Sequence, residues 1–176
     1  MNLRRLGPAA VLAAAALAAT SSPALAVAAE PTAAFAGHLV GGPGATTVKI
    51  SYTCTKDTPA AASHLFVAVK QGPNVNATDQ SSSEFADTFY STNWKSDRGP
   101  NRLRCDGVQH KQTIILKPQP GFHAAVRRLH RGPALVQICV YDNVTQFDPT
   151  THEPTDGGFA ASYTMQNVRA GKHRHH

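Results

Sequence analysis

A two-residue alternation of apolar and polar side chains constrains this fold more than any other feature. From Thr46 to Cys54, the residues Val48, Ile50, Tyr52 and Cys54 fall on one side of the chain, and Thr47, Lys49, Ser51 and Thr53 fall on the other. That repeat matches a pleated strand with one buried face and does not line up along a helix. Leu65, Val67 and Val69 then alternate with Phe66, Ala68 and Lys70 until Gln71-Gly72-Pro73 stops the run. Lys111 to Lys117 repeats the pattern, with Ile114 and Leu116 opposite Ile115. Ala134, Val136, Ile138 and Val140 alternate with Leu135, Gln137, Cys139 and Tyr141. This last run is apolar enough on both sides to be a central strand. Phe159, Ala161, Tyr163 and Met165 make a final strand.

Short strands divided by Gly/Pro turns, with no amphipathic helix and no internal repeat, predict an all-β antiparallel sandwich in a single domain. The N-terminal 26 residues stand apart. Arg4 and Arg5, an Ala/Leu run from Ala9 to Ala19, and Pro23-Ala24-Leu25-Ala26 spell a secretory signal peptide cleaved after Ala26. The apolar run is too short to span a bilayer and no second one follows, so a secreted, extracellular product is expected. Residues 27–44 read as a flexible leader, with an edge strand near His38-Leu39-Val40, residues 45–168 as the sandwich domain and 169–176 as a flexible His/Arg-rich tail. Phe122 to Arg131 reads as a short helix or a bent connection.

Charge narrows the partner class. The 176-residue chain carries 17 Lys and Arg against 11 Asp and Glu. Arg4 and Arg5 leave with the expected signal peptide and Arg169, Lys172 and Arg174 lie in the tail, which leaves a body of 12 against 11. A nearly neutral body argues against a nucleic-acid-binding face, which concentrates basic residues on the folded surface.

Three cysteines in an exported chain allow one internal bridge and leave one thiol. Cys54 ends a strand and Cys105 opens the turn-like Cys105-Asp106-Gly107, so a Cys54–Cys105 disulfide is expected, with Cys139 as a buried free thiol. A Cys54–Cys139 bridge is the rival, because Trp94 between them imitates the Cys, Trp, Cys order of antibody domains. The matching Tyr is missing, since Gln137 stands two residues before Cys139.

Ser51-Tyr52-Thr53-Cys54, Cys105-Asp106-Gly107 followed by His110, and Gly132-Pro133-Ala134-Leu135-Val136-Gln137-Ile138-Cys139 together resemble small secreted proteins of actinobacteria. The resemblance covers roughly residues 46–142. It implies an immunoglobulin-like sandwich and supplies no activity.

Four groups of residues carry candidate chemistry. His173, His175 and His176 in the tail can ligate Zn²⁺, Cu²⁺ or Ni²⁺, or form a solvated tail that meets anionic wall polymers nonspecifically. Asp142, Asp148, His152, Glu153 and Asp156 crowd one loop with oxygen ligands suited to Ca²⁺, but their spacing matches no EF-hand, and Pro149 and Pro154 favour an ordinary exposed loop. Phe85, Phe89, Tyr90 and Trp94 can form a platform for sugar rings, or fill the end of a small core. His110, His123 and His130 and the serines at 81–83 supply hydrolytic residue types without a Gly-x-Ser-x-Gly or His-Glu-x-x-His motif. Asp106 and His110 beside Cys105 read as a turn and a strand surface.

The expected function is a secreted, non-catalytic binding or interaction module with no cofactor. Residues 72–101 and 142–158 would be its recognition loops, and an extracellular cell-wall polymer or glycan its partner. A metal-handling protein acting through the C-terminal histidines, and a secreted enzyme with a site around His110, His123 or His130, are the alternatives.

Overall fold

The computed structural model describes residues 30–41, 46–56, 62–77, 85–92, 102–119, 128–151 and 153–170. Eight strands follow in chain order: β1 Thr32–Phe35, β2 Val40–Gly41, β3 Thr46–Thr53, β4 His64–Gln71, β5 Thr88–Ser91, β6 His110–Pro118, β7 Gly132–Asp142 and β8 Gly158–Ala170. No helix occurs among the described residues. Every ladder is antiparallel except the short parallel pairing of β2 with β8.

The strands close almost completely on themselves. β3 pairs with β1 and β2 on one edge and with β6 on the other, while β7 lies between β4 and β8, and β5 adds to the far edge of β4. Two short ladders join these groups. The end of β6 pairs with β5 through Tyr90↔Pro118 and Ser91↔Lys117, and the end of β8 pairs with β2 through Val40↔Arg169 and Gly41↔Ala170. Such closure leaves few strand edges open to pairing with another chain.

The alternation seen in sequence sets the core. Val48, Ile50, Tyr52 and Cys54 point inward from β3 and its end, and meet Leu65, Val67 and Val69 of β4, Ile114 and Leu116 of β6, and Ala134, Val136, Ile138 and Val140 of β7. Burial of each such Val, Leu or Ile stabilises the fold by about 1.5–3 kcal/mol. The Cys54–Cys105 disulfide forms at the edge of this core, and Cys139 is a buried free thiol. The bridge excludes the Cys54–Cys139 alternative. Beside it the Gly107 N–H donates to the Cys54 carbonyl at 3.2 Å.

The described part of the 27–44 stretch is not a loose leader. Thr32–Phe35 pairs residue for residue with Ile50–Thr53, Leu39 is buried in the core, and β2 falls beside the predicted edge strand. The Ala/Pro composition that suggests looseness is outweighed by a free edge of β3 waiting for a partner. At the other end β8 runs through Arg169 and Ala170, two residues into the predicted tail, because β2 supplies their partners.

β8 also reverses a simple inside/outside reading. Phe159, Ala161, Tyr163 and Met165 lie opposite Tyr141, Cys139, Gln137 and Leu135, so they occupy the outward side. Ala160, Ser162 and Thr164 pair with the core-facing Val140, Ile138 and Val136. β7 is therefore covered on both faces, as its sequence predicts. Val75 and Ala86 close over Leu135, and Val144 closes over Cys139 and Tyr141.

Candidate functional site

The residues expected to carry chemistry fall in separate places, and several are committed to holding loops. His110 Nε2 lies 2.6 Å from Asp106 Oδ1, and Arg104 Nε lies 3.1 Å from Asp106 Oδ2. The hydrogen bond with His110 holds the Asp106 carboxyl below the ordinary carboxylate range. The Arg104 N–H donates to the Tyr52 hydroxyl at 2.9 Å, and burial pushes that phenol up. The Asp106–His110 contact thus fastens the turn after Cys105 to β6, and the Arg104 N–H fastens its approach to β3.

The acidic loop is likewise internally bonded. Asp142 Oδ2 accepts from the backbone N–H and the hydroxyl of Thr55, each at 2.7 Å, which ties the end of β7 to the end of β3. Asp148 Oδ1 accepts from the N–H groups of Thr150 and Thr151, and Asp156 accepts from Thr145 and Gln146. No group of three or more His, Cys, Asp or Glu that could hold a metal is found among the described residues. His152 and the tail histidines His173, His175 and His176 lie outside the described residues, as do His123, Ser81, Ser82 and Ser83.

The aromatic platform divides. Phe89 and Tyr90 are neighbours on β5 and so point to opposite faces: Tyr90 is buried in the core, while the Phe89 ring lies 5.9 Å from Lys70 Nζ. Phe85 is exposed, and Trp94 lies outside the described residues. A single face holding all four aromatics is therefore not formed. On the Phe89 side, the buried Lys70 donates to Gln137 Oε1 at 2.7 Å, and the Gln137 amide lies 3.5 Å from Cys139 Sγ. Burial pushes the Cys139 thiol up and the Tyr163 phenol up to about 12.

A different cluster emerges where β7 begins and β8 ends. Arg131, Gly132, Asn167, Val168 and Arg169 line an open cleft of about 530 Å³. Gly132 pairs with Val168 and Pro133 with Asn167; Arg131 immediately precedes β7, and Arg169 pairs with Val40 of β2. Neither guanidinium makes an ion pair among the described residues. Gly132 has φ 140°, and a side chain added there would meet no atom within 4 Å.

Both arginines stand on braced backbone. The buried Gln71 side chain donates to the carbonyls of His130 at 2.9 Å and Pro133 at 3.3 Å, and accepts from the His130 N–H at 3.0 Å. One amide thereby brackets the turn that presents Arg131. The Arg169 N–H donates to the Leu39 carbonyl at 3.0 Å, so β2 fixes the other side.

Charge is separated along the same ribbon. No Asp or Glu occurs from Gly107 to Tyr141 or from Gly157 to His176, while Asp142, Asp148, Glu153 and Asp156 occupy the loop at the far end. No Lys or Arg occurs from Gly132 to Val168. Across the 11 residues of β7 the two ends lie about 30 Å apart, well beyond the Debye length at physiological salt. The body count of 12 against 11 omits Arg169, which stands at the same end of the ribbon as Arg131. Counting charges along the chain misses this arrangement; the absence of acids from 107 to 141 is the signal that would have found it. No protein-family model, no curated protein and no solved structure matches this chain.

Proposed function

We propose that this protein is an exported, non-catalytic binding module of immunoglobulin-like architecture, whose basic end recognises an anionic extracellular polymer. The separation of charge along the β7–β8 ribbon carries the reading: Arg131 and Arg169 stand on braced backbone at one end, and the acidic loop that would repel the same ligand lies at the other. Fields of this kind raise the local concentration of an oppositely charged partner and orient its approach.

The strand order supports the architecture. β1, β3 and β6 form one layer and β5, β4, β7 and β8 the other, with the shared core between them. The leader pattern of Met1 to Ala26 and the disulfide support export, since such bridges persist in oxidising compartments. Asp106, Asp142, Asp148 and Asp156 each hold a loop together, which fits a scaffold better than a reaction centre.

Co-sedimentation with insoluble cell-wall material tests the reading. The secreted protein should pellet with intact wall at low salt, remain in solution with wall stripped of its anionic polymers, and be released as salt rises. Equal pelleting with stripped wall, or turnover of a peptide, ester or glycan substrate that disappears when one histidine is changed, would refute it.

A further inference from the structure

Closure of the sheet is incomplete along β8. One edge of the strand pairs with β7 from Gly158 to Val168 without a break, but the other meets β2 only at Arg169 and Ala170. β1 contacts both β7 and β8, so it lies across the inner face of the ribbon and not alongside it. A Cβ added at Gly158, on the inward side, would meet Pro31 at 3.0 Å, which sets the start of β1 beneath the strand. The Arg169 N–H points to the open edge, where it donates to the Leu39 carbonyl at 3.0 Å. Strand backbone alternates, so the N–H and C=O groups of Phe159, Ala161, Tyr163 and Met165 face that same edge. None of them meets a backbone partner there among the described residues.

Exposed edges are ordinarily protected by charge, proline or a bulge. Between Gly158 and Val168 there is no charged residue and no proline, and the unbroken register with β7 leaves no bulge. Phe159 and Met165 are exposed on the outward face. A second copy of the strand fits this edge by symmetry. A two-fold axis through the sheet keeps the outward side chains of both copies on one face when a residue pairs with itself, and Ser162 is the midpoint of the open stretch 158–166. Pairing about Ser162 sets Phe159 opposite the partner's Met165 and Ala161 opposite the partner's Tyr163, contacts favourable across neighbouring strands. The same axis reverses the ribbon, so the loop holding Asp148, Glu153 and Asp156 comes beside the partner's Arg169. Asp87, the exposed acid at the Arg131 end, precedes β5 at the opposite edge of this sheet and stays clear of the pairing.

We infer that β8 is the interface of a two-fold homodimer, in which the β8 strands of two copies pair antiparallel about Ser162 and join their sheets into one. An anionic polymer competes with the partner's loop for Arg169. The pairing does not rest on the polymer reading, and its test contains no polymer.

Sedimentation velocity of the purified protein at low salt, from about 1 µM to about 1 mM, should show a shift from one copy to two. Ala161→Lys puts a charge on the open edge of each copy and should weaken association about tenfold or more. Its melting in dilute solution should match the parent, since Ala161 is exposed. Cross-linking reads the register without any change on the outward face. S162C brings a cysteine opposite its own counterpart in a non-hydrogen-bonded pair, where a Cα separation of about 4.5 Å suits a disulfide, so mild oxidation should give covalent dimers. T164C faces the partner's Ala160 and should give none. A parent that stays single at every concentration, an A161K variant that associates as well as the parent, or T164C that cross-links as readily as S162C overturns the interface.

Discussion

Gln71 encloses His130: its amide oxygen accepts from the His130 N–H at 3.0 Å, while its amide nitrogen donates to the His130 carbonyl at 2.9 Å. A buried residue at the end of β4 thereby fixes a turn 59 positions later in the chain. This pairing connects the core to the exposed arginine that follows.

Gln71→Leu keeps similar bulk and removes all three hydrogen bonds. Buried backbone groups left without partners cost roughly 1–3 kcal/mol each, partly recovered where water reaches the turn, so the variant should lose about 2–3 kcal/mol of stability. Urea denaturation reads that loss. The same variant should weaken polyanion binding although it keeps both arginines, and unchanged affinity would show that the turn needs no bracing.

Cys54 and Cys105 are 51 positions apart, a loop whose closure stabilises the folded state by about 4 kcal/mol in the chain-entropy account. C54A/C105A should lower the denaturation midpoint accordingly. Thiol titration of the parent should give one reactive group per chain in denaturant and a much slower reaction in the native state. The slow reaction follows from burial, which both shields Cys139 and disfavours its thiolate.

Acid should destabilise the molecule through Asp106 and Asp156. Their hydrogen bonds, led by His110 for the first and the Thr145 hydroxyl for the second, lower both pKa values in the folded state relative to 3.8. A depressed folded value means that each group stabilises above its unfolded pKa, and that this contribution is lost as pH falls through the folded value. The melting temperature should hold steady from neutrality to about pH 5 and decline below about pH 4. Asp156→Asn should lie below the parent at neutral pH and show a shallower decline in acid.

Gly157 closes the loop between β7 and β8 at φ 67°, where an added Cβ would approach the Asn143 carbonyl oxygen to 2.5 Å. Gly157→Ala therefore meets both backbone strain and a clash. Loss of about 2–3 kcal/mol is expected, read as a lower denaturation midpoint. An unchanged midpoint would mean that the loop shifts at no cost.

The strands of the body were legible because strand formation is written locally. Val48, Ile50 and Tyr52 alternate with polar neighbours whatever lies across the sheet, and the double-sided apolar pattern of β7 announces that both faces are covered. A strand end and a turn favoured Cys54–Cys105, but only the structure excluded Cys54–Cys139. The candidate site was not legible, because each part is ordinary in isolation: Gln71 ends a strand, Gly132 opens one, and Arg131 and Arg169 read as a surface residue and the start of a tail. Thr32–Phe35 was hidden in the same way, since its Ala-rich composition forms a strand only beside the open edge of β3.

By itself, the sequence determined that β3, β4, β6, β7 and β8 are strands and which faces of β3 and β7 turn inward. Periodicity, turn residues and cysteine placement are properties of neighbouring positions. Tertiary structure alone decided that Cys54 pairs with Cys105 and that β8 lies antiparallel to β7 with Gly132 opposite Val168, which brings Arg131 and Arg169 to one end of the ribbon and leaves the acidic loop at the other. Strand register is a contact between distant residues, so charges scattered along the chain become segregated in space only when it folds.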